Sequence, residues 1–365
     1  MKKNYTLLLF NLIIVFVSSF SNLPLCDFKC YKDYSGVITI KEANDLLKEY
    51  KLVKKSDRPI ELQYSLDLGK SISTLILDKD NGIQLKDPDN SSNGDVIGNS
   101  IVTWKELEKI AKKKNQNRCF CLYHDESPWH VSVMSETTGI PASLLPPLDE
   151  PSDKNKNKDI LEIEARFPTI NLGGFTMHRV SGDNMNPDKD TKNKIATLQL
   201  EDTFNTDVKI LDTCMGLGYT AIAAARIVNR NSGGEVYTCE YDDASIAMCA
   251  HNPWSRELYD GSLPITAFHG DMCELINNFD NESFDYIVHD PPARALCRTD
   301  LYSLDFYQSL YRILKKKGKV FHYIGNPVSK ESGRLFSGVK KRLIEAGFSS
   351  CSNADEAFGV LAFKN

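Results

Sequence analysis

In the second half of the chain, short apolar runs alternate with longer amphipathic stretches. The runs are VKILD (208–212), EVYTCEY (235–241), PITAFHGD (264–271), FDYIVHD (284–290) and KVFHYI (319–324). Between and after them, Thr220 to Val228, Ala244 to His251, Cys273 to Phe279, Ser303 to Leu314 and Ser332 to Ala346 read as helices. Continuous apolar runs of this length suit strands buried on both faces. Their alternation with helices builds an α/β fold with a doubly wound, mostly parallel sheet. Phe348 to Cys351 and Phe358 to Phe363 are expected to add an antiparallel pair at the edge, for a seven-stranded, Rossmann-like sheet. Asp190 to Leu200 reads as a helix ahead of the first strand.

The first half has shorter periods. ELQYSLDL and STLILDKDNGIQL look like strands, with Asp80-Asn81-Gly82 turning a hairpin. Thr103 followed by Glu106 is a capping box that opens the helix WKELEKIAKKK. CFCLYH and HVSVMS alternate like strands. Residues 22–143 therefore read as a small α+β module with a polar leading segment. Residues 144–159 (LLPPLDEPSDKNKNKD) read as a linker, and 160–365 as the α/β domain. The lysine run Lys112 to Lys114 reads as a solvated helix end.

Residues 1–21 stand apart, with a basic MKK start, an apolar Leu7 to Phe20, and small Ser19 and Ser21 at the cleavage positions. That is the pattern of a secretory signal peptide, too short for a spanning helix. No stable membrane span is expected after its removal. The net charge of −5 gives no global basic footprint for nucleic acid, although a local basic face stays open. None of the ten cysteines forms a C-x-x-C pair, so no metal site is expected. Inert thiols fit a reducing compartment better than the secretory lumen. With the signal peptide and a following Lys-rich segment, they suit a plastid reached through the secretory route.

Chemistry gathers at strand ends. Asp212, Glu240, Asp271 and Asp290 close successive apolar runs, where open α/β sheets place their ligands. The loop after Asp212 holds Gly216 and Gly218, which let a ligand approach the backbone closely. The pattern D-x-C-x-G-x-G (Asp212, Cys214, Gly216, Gly218) resembles the first motif of class I S-adenosylmethionine-dependent methyltransferases. The stretches LDTCMGLGYTAIAA, HNPWS, IVHDPPARALCRTDLYS and FHYIGNP resemble an archaeal and plastid-lineage group of that class, sometimes labelled spermine-synthase-like. The resemblance implies a methyltransferase sheet that binds S-adenosyl-L-methionine through Asp212, Cys214, Gly216, Gly218, Tyr219 and Thr220. Glu240 with Tyr241 would take the ribose through both hydroxyls, and Asp271 with Met272 the adenine.

Asp290-Pro291-Pro292 resembles the D/N-P-P-aromatic motif of enzymes that methylate exocyclic amines of nucleobases. The resemblance makes Asp290 and the Pro291 carbonyl the groups that aim a nitrogen lone pair. Ala293 stands where that motif has an aromatic, so the acceptor stays open between an RNA base and a small amine. His322 is the candidate base, with Tyr323 and Asn326 beside it. Alternation turns His289 to the opposite face from Asp290. His178 and Arg179 are candidates to cover the cofactor carboxylate. Two other readings stay open: an aminopropyltransferase using decarboxylated S-adenosylmethionine, and a non-catalytic adenosyl- or RNA-binding module. The sequence leaves the oligomeric state open.

Overall fold

A computed structural model of the chain describes residues 34–86, 96–124, 126–147, 165–180, 185–200, 207–231, 233–292, 300–326 and 330–365. The signal peptide, most of the linker and Ala293 lie outside the described residues.

The first half is built from β1 (Gly36–Ile38), α1 (Ile40–Val53), β2 (Ile60–Tyr64), β3 (Ser73–Asp78), β4 (Gly82–Lys86), β5 (Val96–Val102), α2 (Trp104–Ile110), β6 (Phe120–Tyr123) and β7 (Glu126–His130). Thr103 caps α2 with Glu106 as its reciprocal partner, and Gly82, at φ +84°, turns the β3–β4 hairpin. Next come β8 (Ser132–Met134), β9 (Pro141–Leu145), β10 (Thr169–Leu172) and β11 (Phe175–Thr176), which pair as a four-stranded antiparallel sheet. Leu144 and Leu145, expected to open the linker, instead end β9. Ala142 and Leu144 point into the core there, and the Pro- and Lys-rich composition begins only after them.

The second half holds α3 (Pro187–Ala196), β12 (Val208–Asp212), α4 (Tyr219–Asn231), β13 (Gly234–Glu240), α5 (Asp243–Ala250), β14 (Ile265–His269), α6 (Met272–Leu275), β15 (Phe284–His289), α7 (Leu304–Ile313), β16 (Leu314–Tyr323), α8 (Lys330–Glu345), β17 (Ser350–Ala354) and β18 (Gly359–Phe363). Among the described residues these strands form a seven-stranded sheet in the order β14-β13-β12-β15-β16-β18-β17. The first five strands run parallel; β18 pairs antiparallel with both β16 and β17. The chain reverses its direction of winding between β12 and β15, so the loops after these two strands diverge and leave a crevice.

Two boundaries differ from the periodic pattern for local reasons. α3 begins at Pro187, before the expected Asp190, because Asn186 caps it by accepting from the Lys189 N–H. Proline is at home at a first helical position. β16 begins at Leu314, directly after α7, and Lys315 pairs with Asp285 at 2.7 Å. The periodic pattern starts this strand only at Lys319.

The first half is not a separate bead. Val37, Cys119, Cys121 and Leu144 share one hydrophobic cluster with Ile195, Leu217, Ile222 and Ala244. A polar clamp joins the same surfaces. Asp243, at the start of α5, accepts from the Ser135 hydroxyl (2.8 Å), the Glu136 N–H (3.0 Å) and the Thr137 N–H (2.9 Å). Burial pushes this carboxyl up, but the Thr137 and Glu136 amides outweigh it and hold the group well below the usual range. A depressed carboxyl stabilises above its unfolded value, near 3.9, and loses that contribution as pH falls further. The Asp243→Ala variant should lose about 1–3 kcal/mol. Its Glu136 and Thr137 amides should exchange faster with deuterium, and in the native protein the same opening should appear only below about pH 4. Unchanged exchange in the variant would remove the clamp from this account.

Candidate functional site

The crevice at the carboxyl edge of the sheet opens into one pocket, and the strand-end acids have different duties in it. Asp212 is 1% exposed and lies behind the loop rather than on the pocket wall. Its Oδ2 accepts from the hydroxyls of Thr220 (3.0 Å) and Thr238 (3.1 Å), and burial pushes its carboxyl up to about 7. The expected direct contact with a cofactor is therefore corrected. Asp212 fixes the loop that would make the contact.

Glu240 reaches the wall and binds that loop from the other side. Its Oε2 accepts from the Gly216 N–H (2.8 Å), and its Oε1 from the N–H groups of Tyr241 (3.0 Å) and Asp242 (2.9 Å). A carboxylate offers about four acceptor directions, so one remains, on Oε2. That leaves room for one ribose hydroxyl rather than the two expected. Burial raises this carboxyl to about 7, against the pull of those amides.

The two loop glycines separate cleanly. Gly216, at φ +53°, has nothing within 4 Å of where a Cβ would stand, and it lines the pocket. Gly218, at φ +75°, would drive a Cβ into the Leu258 side chain, and it does not line the pocket. Gly218 thus serves the turn and the packing beneath it, a correction to its expected place against the ligand. Cys214, Thr220, Tyr241, Asp271 and Met272 do line the pocket. Asp271 accepts from the Cys273 N–H (2.8 Å), which caps α6. The Tyr219 ring lines the pocket while its hydroxyl donates to the Pro168 carbonyl at 2.9 Å.

The opposite end is organised by a residue that periodicity passed over. Lys194, on α3, is 2% exposed and lines the pocket. Its Nζ donates to Asp290 Oδ2 at 2.5 Å and pairs with Asp190 Oδ2 at 2.8 Å. It also stands 4.7 Å from the centre of the Tyr323 ring. Burial alone would push Lys194 down, but Asp290 and Asp190 outweigh it and keep the amine protonated. Asp290 and Pro291 are on the wall as expected.

The histidines divide. His178 lines the pocket, bonded to Thr169 (2.8 Å), and burial lowers it to about 4, so it is neutral. Arg179 does not line the pocket. It donates to the Glu356 carbonyl (2.6 Å), lies 3.6 Å from Asp190 and stacks over Phe358. His289 faces away from Asp290 as alternation required. It bonds Thr213 (2.7 Å) and the Leu301 carbonyl (2.9 Å), and burial lowers it to about 3. His322 is fully buried against Tyr307 (2.8 Å) and is absent from the pocket wall. It cannot act as the base, because strand alternation directs it into the α7 side of the sheet. Asn326 is exposed and also off the wall.

The first half of the chain roofs this pocket. Thr138, Ile140, Leu172, Phe175 and Met177 line it from the β8–β11 sheet. Phe175, at the tip of the β10–β11 hairpin, is 54% exposed.

Residues 208–325 match the family described as RNA cap guanine-N2 methyltransferase. The chain is 42% identical over 198 residues to an uncharacterised protein of Methanocaldococcus jannaschii, covering 54% of this chain and 64% of that one. It therefore spans a little under two thirds of that relative's length. Among solved structures, it resembles spermidine synthase from Thermotoga maritima (16% identity, 65% of this chain and 74% of that one, TM-score 0.43). It also resembles MnmC2 from Aquifex aeolicus (18% identity, 54% and 67%, TM-score 0.40). The matched segment, residues 208–325, is methyltransferase-like and carries the five parallel strands of the sheet. S-adenosylmethionine is the cofactor its loops fit: an open glycine cradle at Gly216, then the carboxylates of Glu240 and Asp271 at successive strand ends.

The glycine geometry makes a paired prediction for S-adenosylhomocysteine binding by calorimetry. A Gly216→Ala methyl enters the cavity and should weaken binding at least tenfold, with a cost to folding of about 1–2 kcal/mol. Gly218→Ala should cost roughly 2–4 kcal/mol of stability through strain and the Leu258 clash, with little direct effect on binding. The reverse ranking would place the ligand against Gly218.

Proposed function

We propose that this protein is an S-adenosylmethionine-dependent methyltransferase acting on an amine nitrogen. The observation that carries the reading is the position of Asp290-Pro291 on the pocket wall. It follows β15, beside the loop after β12, where the winding of the sheet reverses. When bound, S-adenosylmethionine supplies an electrophilic methyl group. The chain's part is alignment. Gly216, Glu240 and Asp271 hold the adenosyl end, and Asp290 accepts an N–H of the acceptor. Pro291 offers a backbone carbonyl as a second acceptor, and proline fixes its direction. Two such bonds turn the nitrogen lone pair towards the methyl group, which is the geometry the reaction needs. Asp290 is also placed to take the proton that the nitrogen sheds. The match to a family described as RNA cap guanine-N2 methyltransferase supports an exocyclic amine as the target.

Aminopropyl transfer is the second reading, supported by the acids Glu240, Asp242 and Asp271 on the walls. Incubation of the protein with labelled S-adenosylmethionine or its decarboxylated form, each with RNA and polyamine fractions, separates the two. Label transfer from the decarboxylated form alone would overturn the methyl reading.

The Asp290→Ala variant should lose about 100-fold or more in kcat, the scale of a removed transition-state contact, while cofactor affinity stays near wild type. The Asp290→Asn variant keeps one acceptor oxygen and should retain part of the rate. Lost cofactor affinity with unchanged turnover at saturation would make Asp290 a cofactor ligand instead.

A further inference from the structure

Lys194 is the least expected group in the pocket. A lysine with 2% exposure is sustained only by compensating charge, and here the compensation comes from two sides. Asp190 lies one turn earlier on α3, at 2.8 Å, and Asp290 lies across the crevice on the loop after β15, at 2.5 Å. The Asp190 side chain is 1% exposed, whereas Asp290 keeps 19%, so only Asp290 meets the open pocket. Behind Asp190, Arg179 adds a second cation at 3.6 Å.

The charges around Asp290 can be followed on every packed element. From α3 come Lys194 and Asp190, and from the segment after β11 come Arg179 and His178. Tyr323 faces it from the end of β16, and Asp212 and Cys214 from the end of β12 and its loop. His289 and His322 are neutral on the far face of the sheet. Burial raises the Asp212 carboxyl to about 7, so it carries only part of a charge, and the two ion-paired carboxylates, Asp190 and Asp290, stand against two cations, Lys194 and Arg179. Among the described residues, this end of the pocket balances. The acids Glu240, Asp242 and Asp271, which among the described residues bond to backbone amides rather than to cations, lie at the ends of β13 and β14, towards the other end.

We infer that Lys194 is the positioning residue of the acceptor site, and that by balancing Asp290 it fits the site to an uncharged acceptor nitrogen rather than a cationic polyamine. The substrate half of this inference rests on the methyltransferase reading above. A polyamine brings several charges into a crevice of low dielectric and needs carboxylates not already neutralised. A planar amine brings only N–H donors, which an ionised, fixed Asp290 can accept. Pro291, Pro292 and Tyr323 on the pocket wall, with Leu172 and Phe175 from its roof, are apolar or aromatic and suit such a ring.

The experiment uses the full chain, Lys194→Met and Lys194→Arg. The Asp290 carboxyl is followed by carbon NMR against pH without cofactor, with Asp290→Asn identifying its signal. The Asp290 midpoint should move up by about 1–3 pH units in Lys194→Met and return towards wild type in Lys194→Arg. An unchanged midpoint would overturn the role of Lys194. Should Lys194→Met fail to fold, Asp190→Asn with Lys194→Met removes the leftover carboxylate repulsion, and a smaller upward move than in Lys194→Met is expected. Cytidine, guanosine and spermidine are then titrated into protein saturated with S-adenosylhomocysteine. A nucleoside should bind wild type at least tenfold more tightly than spermidine, and Lys194→Met should narrow or reverse that ratio. Tighter binding of spermidine by wild type, or binding of none of the three, would overturn the substrate half. Failure of S-adenosylhomocysteine itself to bind would sink the methyltransferase reading, while the carboxyl titration would still decide Lys194.

Discussion

A buried ammonium group cannot be left alone, and this fold is arranged around satisfying one. Removing Lys194 from water is costly unless partners sit close and are well aimed, and breaking such a pair after burial costs more than forming it gains. The partners lie on different parts of the chain: Asp190 on α3 itself, Asp290 on the loop after β15. Meeting both fixes α3 across the open side of the sheet. α3 in turn packs on α4 and touches the turn before β18. The same helix thereby joins the roof to the sheet edge and forms one wall of the crevice.

Electrostatics divides the pocket into two ends. Near β13 and β14 the walls are acidic and tied to backbone amides, as in the three N–H bonds held by Glu240. That arrangement fixes Glu240 through the backbone, and in the proposed reading it leaves acceptors for a sugar and a base. Near β15 the charges cancel, and the carboxylate that meets the pocket is held by an amine. Rigid acceptors at one end and an aimed, balanced carboxylate at the other suit a reaction whose main demand is alignment.

Much of this was legible in the sequence. Continuous apolar runs gave the parallel strands, and acids closing those runs marked the functional edge. What escaped had physical reasons. Lys194 sits in PDKDTKNKIA, a helix whose polar composition does not mark any one lysine as buried, and only its tertiary partners show that this one is. Asp212 and Gly218 have the right types and spacing for ligand contact. Whether an atom faces a cavity or the packing behind it depends on Thr220, Thr238 and Leu258, which no local pattern reveals. His322 was a candidate because it lies near the carboxyl end of its strand, close to the functional edge. Its strand buries it beside Tyr307, where no acceptor reaches. The junction of the two halves escaped because residues 132–145 and 169–176 form one sheet across the intervening segment.

The central claim is that one crevice at the carboxyl edge of the sheet takes both the cofactor and its acceptor. Hydrogen exchange of the full chain with and without S-adenosylhomocysteine tests it most directly, because it maps the site without assuming an acceptor. Protection should concentrate at 214–218, 240–242 and 271–272, with a weaker effect on the roof at 138–142. Protection centred instead on the separate cavity between Phe167, Ile222, Arg226 and Trp254 would contradict the account.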